Sequence, residues 1–258
     1  MVLKQKLDYH YKAFDKTKIS PDPLQFLHMF SNEKDIEAIG FIASIFAYGN
    51  VNQIINTLNK IIEITANKPY KFIAGYYSGK YSYKLIDLKH RFYTGDDISL
   101  LFYILSDVYH EYGSIKNLFY TFYRKQGDIK NSLIKFSDYF INYAMRIKGG
   151  NINPGFNFMF PSPELGSACK RMNLFLRWMV RKDGLDFGFW GEIPASKLVI
   201  PVDTHVARIC QNLKLTKRKN ISWAMAEEIT ENLRKFDPDD PVKYDFAICH
   251  IGMRKMNF

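Results

Sequence analysis

Residues 198–211, LVIPVDTHVARICQ, change character at their centre. A short apolar run ends at Pro201, a carboxylate follows at Asp203, and Val206, Ile209 and Leu213 then recur on one helical face. Asp is among the favoured N-caps, because its carboxylate accepts the orphan N–H groups of a first helical turn. The stretch therefore predicts a helix that begins just after Asp203, and it raises the question whether the carboxylate only caps or also reacts. Working outward, the same grammar repeats. SNEKDIEAIGFIASIFAYG (31–49) opens on Ser31 or Asn32, closes at Gly49 and carries Ile36, Ile39, Ile42 and Ile45 along one face. NVNQIINTLNKIIEITANKP (50–69) stops at Pro69, and GDDISLLFYILSDVYHEYGS (95–114) begins with acids that suit the positive end of a helix dipole. DIKNSLIKFSDYFINYAMRIKGG (128–150) ends at two glycines. No alternating strand pairs, repeats or low-complexity linkers stand out, so the expected class is all-α.

Two irregular stretches interrupt the helices. KGGNINPGFNFMFPS (148–162) reads as a long loop between two helices, the second expected from Ser162 as N-cap, with Pro163 in its first turn, to Gly184. KDGLDFGFWGEIPASKLVIPV (182–202) separates that helix from Asp203. Further on, SWAMAEEITENLRKF (222–236) and VKYDFAICHIGM (242–253) flank the proline-punctuated DPDDP.

Composition narrows the function classes. The 258 residues are 47% hydrophobic, enough for a sizeable core in one large domain or two lobes. The N-terminus, MVLKQKLDYHYKAFDK, is charged and has no signal-peptide core, and the longest greasy run, AIGFIASIFAY (38–48), is too short to span a bilayer. Cys169, Cys210 and Cys249 are too widely spaced for a metal or disulfide framework, which fits a reduced, cytoplasmic setting. Lys+Arg outnumber Asp+Glu 36 to 26, and the resulting +10 charge draws the chain towards polyanions such as nucleic acid.

Two segments carry a resemblance. VDTHVARI (202–209) and, upstream, GSACKRMN (166–173) resemble the catalytic-aspartate segment and the second hairpin helix of the helix-hairpin-helix DNA glycosylases, the superfamily of endonuclease III. In the pattern G-x-G-x-K-x-x-N, Gly166, Lys170 and Asn173 match and Ala168 replaces the second glycine. SWAMAEEITENLRKF followed by FAICHIG resembles the two closing helices, so the motifs cover about the last half of the chain; the separation of Lys170 from Asp203 is closer to that of archaeal 8-oxoguanine glycosylases. The resemblance implies a two-lobed helix-hairpin-helix fold, with 31–184 as a helical barrel lobe ending in the hairpin and 1–30 plus 185–258 as a second lobe. It places the chain in a bacterial family of that superfamily.

What the resemblance implies chemically is excision of a damaged base flipped from double-stranded DNA. Lys170 is then the nucleophile of a bifunctional glycosylase/AP lyase, forming a Schiff base with the sugar, and Asp203 its acid–base partner. A lysine must lose its proton to react, and at an ordinary pKa of ~10.4 few do so at neutral pH; a position in an early helical turn helps by disfavouring the ammonium. Gly166, Ser167 and Ala168 would let a phosphate approach backbone N–H groups, with Arg171 and His205 in the same DNA-binding set and Arg177, Lys148 and LTKRKN (215–220) as further cations. For the base pocket or wedge, Tyr48, Phe158, Phe160 and Trp190 are the named aromatics, with Phe156, Phe187 and Phe189 beside them. The iron–sulfur cluster of endonuclease III needs four clustered cysteines, so no metal or other cofactor is expected. A monomer, cytoplasmic or nucleoid-associated, completes the expectation. The alternative is a non-catalytic protein that keeps the fold and binds DNA or structured RNA.

Overall fold

The computed structural model describes residues 3–76 and 84–253. Met1 and Val2 of the charged N-terminal segment lie outside the described residues, as do 77–83 and 254–258. Among the described residues the regular structure is helical and contains no strand, only isolated bridges at His90–Tyr93 and Lys182–Phe187. No helix among them is long and apolar enough to cross a membrane. The chain divides into two compact units, residues 21–162 and residues 1–20 with 163–258.

The 1–20 segment of the second unit supplies α1 (Leu3–Ala13). The first unit comprises α2 (Glu33–Phe46), α3 (Val51–Ile64), α4 (Pro69–Ala74), α5 (Gly95–Tyr112), α6 (Ile115–Gln126), α7 (Ile129–Ile147) and α8 (Pro154–Met159). The isoleucine stripe predicted for α2 is only part of what it buries, because every residue from Ile36 to Phe46 is buried. A helix apolar on all sides belongs inside a core. Asn32 caps α2, and Phe41 stacks on Phe140 at 5.7 Å and meets the edge of Phe136 at 6.0 Å. The one carboxylate on its buried face, Glu37, accepts hydrogen bonds from Tyr109 Oη (3.2 Å) and from the backbone N–H groups of Ile115 and Lys116 (3.0 Å each), so it serves the start of α6. Thr94 and Asp97 close a reciprocal capping box on α5, and Asp128 caps α7.

The second unit continues with α9 (Lys170–Val180), α10 (Thr204–Asn212), α11 (Trp223–Arg234) and α12 (Asp245–Met253). Helices α10 and α12 pack together, and α1 lies against α12. Three sequence expectations change here. The 148–162 stretch is not a plain loop, because Pro154 starts the short helix α8 within it. The helix expected from Pro163 is only a 3-10 turn (Pro163–Leu165), broken because Gly166 (φ +78°) and Cys169 (φ +48°) adopt left-handed backbone; the true helix starts at Lys170 and ends at Val180. Residues 163–184, expected in the barrel lobe, group with α10–α12, and the chain passes from one unit to the other after Ser20 and after Ser162. The physical tie is explicit: Trp223 N–H donates to Gly166 O at 3.1 Å, and Arg177 on α9 hydrogen-bonds Asp245 on α12.

Candidate functional site

The turn 166–169 is held from several directions. Gly166 O is tied to α11 through Trp223, Cys169 N–H donates to Ser167 Oγ at 3.2 Å, and Asn173 Nδ2 donates to Ala168 O at 3.1 Å. The asparagine of the matched pattern therefore clamps the turn that precedes its own helix. Gly166 is exposed, and its φ of +78° favours glycine, with open space where a Cβ would stand. Ala168 sits where the pattern has its second glycine. Its φ is not positive and its methyl is buried at 5% exposure, so alanine costs no backbone strain there.

Lys170 is the first residue of α9, and Asp203 is the N-cap of α10. One oxygen of Asp203, Oδ1, accepts from the backbone N–H groups of His205 and Val206 at 2.9 Å each. The other, Oδ2, meets Lys170 Nζ at 2.8 Å. The carboxylate thus caps the helix and pairs with the lysine at the same time, using different atoms. The pair is partly open to solvent, with the Lys170 and Asp203 side chains 30% and 19% exposed. Burial pushes the Asp203 carboxyl up, but the Lys170 ammonium, its hydrogen bond and the Val206 N–H outweigh it and leave the group below the usual carboxylate range. His205 sits half-buried in the first turn of α10 and adds to that lowering.

Farther along α9 lies a different cluster. Arg177 reaches Asp186 (3.2 Å) and Asp245, while Arg181 reaches Asp240 (2.8 Å), Asp183 (2.9 Å) and Asp186. Two guanidiniums thus face four carboxylates. Burial pushes Asp186 up despite both arginines, and pushes Asp245 up to about 6. Asp245 Oδ1 is buried with no hydrogen-bond partner among the described residues.

The expected DNA-binding set divides. Gly166 and Ser167 are accessible at the turn, whereas Arg171 is 5% and Arg177 3% exposed and their side chains belong to the interior. Helix α9 is buried on nearly every side, and a cation count along the sequence does not show that. Lys148 is exposed; in LTKRKN, Lys217 and Lys219 are exposed and Arg218 pairs with Glu228 at 3.0 Å. The aromatics divide as well. Phe160 stacks on Phe140 at 4.3 Å in the core of the 21–162 unit, and Trp190 meets the edge of Phe175 at 5.1 Å, almost fully buried; Phe156 is buried too. Phe187 and Phe189 are half-buried and face each other at 5.7 Å. Tyr48 and Phe158 do come together, at 5.1 Å between rings, with Phe158 44% exposed.

Sequence reasoning missed Phe92, which is 62% exposed and joins Tyr48 and Phe158, and it missed the arginine–aspartate cluster. The second had a signal: Arg177 and Arg181 bracket the apolar run Trp178–Met179–Val180, and charges set so closely among core residues demand buried partners. Phe92 had none, since it lies in a two-residue turn between His90 and Tyr93.

A family model described as "Protein of unknown function (DUF2400)" matches residues 22–254. No curated protein and no solved structure matches the chain. The match takes in most of both units, and the protein belongs to the DUF2400 family.

Proposed function

We propose that the protein is a DNA glycosylase of base-excision repair with AP-lyase chemistry, working as a monomer on double-stranded DNA that contains a damaged base. The observation that carries this reading is the Lys170 Nζ–Asp203 Oδ2 pair at 2.8 Å, half open, with each residue at the start of its own helix. At rest the pair keeps a proton on the amine. Excluding water by a bound strand penalises both charges and favours passing that proton to Asp203 Oδ2, and the positive end of the α9 dipole acts in the same direction. The neutral amine attacks the anomeric carbon. The bond from that carbon to the base breaks with its electron pair leaving on the base, which takes up one proton; the C1′–O4′ bond then breaks with its pair on O4′, which takes the second proton lost from nitrogen, and the protonated imine that precedes strand cleavage remains. Asp203, one oxygen fixed by two backbone N–H groups, keeps the other aimed at the reacting nitrogen throughout. The hairpin 166–169, with its small residues ahead of α9, is the phosphate-facing element.

The test is reductive trapping. Borohydride added to wild-type protein with a duplex carrying an abasic site or a damaged base is expected to give a covalent protein–DNA adduct, and Lys170→Gln to give none while retaining DNA binding. Excision without trapping contradicts the lysine mechanism, and absence of excision on a panel of lesions favours the binding-only alternative.

A further inference from the structure

The unit 21–162 holds a cavity of about 490 Å³ that the Lys170–Asp203 chemistry does not use. Its walls are Phe92 and Phe158, 62% and 44% exposed, whose rings stand nearly perpendicular (89°) with centroids 6.0 Å apart. A planar ring can stack on one wall with its edge towards the other, and the volume lies in the range of small-molecule pockets. The floor is polar. Asp97 is 2% exposed and fully engaged: Oδ2 accepts from Thr94 N–H (2.9 Å) and Thr94 Oγ1 (2.8 Å), and Oδ1 accepts from Asn153 Nδ2 (3.1 Å). The floor can come this close to the wall only because Gly155 lacks a Cβ, which would stand 2.4 Å from Phe92 O and 2.6 Å from Asp97 Oδ2.

The bond to Asp97 also fixes which way the Asn153 amide faces. Its Nδ2 must point at the carboxylate, so the amide oxygen and the second N–H, on an exposed residue, remain for a ligand. A carboxamide held this way offers a donor beside an acceptor, the combination that pairs bidentately with the edge of a base. A cation stands by the aromatic wall. Arg91 lies over the Phe92 ring at 5.3 Å and the Tyr48 ring at 5.2 Å, is exposed, and makes no ion pair among the described residues. Lys148 lines an adjoining depression that shares Asp97 and Asn153.

Stacking walls, an oriented carboxamide and an exposed guanidinium are complementary to one chemical object, a nucleobase that carries a phosphate. We propose that this cavity is a nucleotide-binding site, with the base stacked on one of the Phe92 and Phe158 rings, its edge on Asn153 and its phosphate at Arg91. It goes beyond the glycosylase reading and does not depend on it.

Two probes test the site by calorimetric or ligand-detected NMR titration: adenosine 5′-monophosphate, and single-stranded hexadeoxyadenylate. Saturable binding of the mononucleotide alone identifies the ligand as a free nucleotide, and binding of the oligonucleotide alone or of both identifies a base within a strand. For the bound probe, Phe92→Ala and Phe158→Ala are expected to weaken affinity at least about fivefold, the loss of one base–aromatic stack. Both residues are exposed, so the variants should fold, which circular dichroism checks. Arg91→Gln should reduce the affinity for the mononucleotide to that for adenosine. Asp203→Asn should leave mononucleotide binding unchanged, which keeps failure here distinct from failure of the trapping experiment. No saturable binding of either probe, or alanine variants that bind like wild type, would overturn the assignment.

Discussion

Helix α9 carries two kinds of cation–carboxylate contact, and they behave oppositely. At its first residue, Lys170 meets Asp203 at 2.8 Å with both side chains partly wet. Two turns on, Arg177, and then Arg181 at the helix C-cap, meet Asp183, Asp186, Asp240 and Asp245, with both arginines almost wholly enclosed. In the first pair the lysine and the helix N–H groups outweigh burial, and the Asp203 carboxyl lies below its usual range. In the second, burial outweighs the arginines at Asp186 and Asp245, and those carboxyls lie above it. Solvent access separates a site that can exchange protons and admit a substrate from a cluster that joins α9 to the loop after it and to α12. Charge on a helix says little about function until its burial is known.

The largest stability effect is expected in the enclosed cluster. Replacing Arg177 by Met leaves Asp245 and part of Asp186 without a partner, and breaking one side of a buried pair costs about 3–5 kcal/mol. Urea unfolding measures it; a loss under 1 kcal/mol would show that the cluster is not what holds α9 to α12. For Asp203→Asn the expected order reverses. The cap acceptor survives and one charged hydrogen bond is lost, so stability should fall by about 1–2 kcal/mol. Excision, in contrast, should fall by orders of magnitude if the carboxylate relays the proton. Comparable losses of stability and activity would reduce Asp203 to a cap.

The pH dependence sharpens the contrast. Asp245 titrates higher in the folded than in the unfolded chain, so the folded state binds the extra proton between 3.8 and about 6, and its contribution to stability falls as pH rises through that window. Asp203 is lowered, so its contribution is present above 3.8 and is lost as pH falls through the still lower folded value. Relative to wild type, Asp245→Asn should therefore lose least stability near pH 7 and most near pH 4, whereas the Asp203→Asn difference should stay flat from pH 5 to 8. Matching pH profiles for the two variants would break the distinction. The smallest effect concerns charge alone. If the protein binds DNA, log affinity should fall with log salt by about 0.9 per phosphate covered, and Lys170→Gln should change that slope by at most about one contact.

The all-helical class was legible because apolar periodicity and caps are local signals: Asn32, Asp128 and Asp203 each cap where the sequence places a helix start. Lys170 and Asp203 were legible as a pair through motif order, and the structure brings them into contact. The break at Gly166–Cys169 was harder to place, because left-handed backbone at Cys169 leaves no trace in residue type. What stays hidden has one cause. Residue type alone suggests Arg171 and Arg177 for DNA and Phe160 and Trp190 for a base pocket, but it does not show that all four are buried, which a turn of helix or a neighbouring ring decides. The Phe92–Asn153 cavity joins residues some sixty positions apart, beyond any periodic signal.

The most direct measurement is to map the borohydride-reduced protein–DNA adduct by peptide mass spectrometry. The account predicts a single modified residue, Lys170, formed by wild type and absent from Lys170→Gln. An adduct on another lysine, such as the exposed Lys182, or excision with no adduct at all, would contradict it.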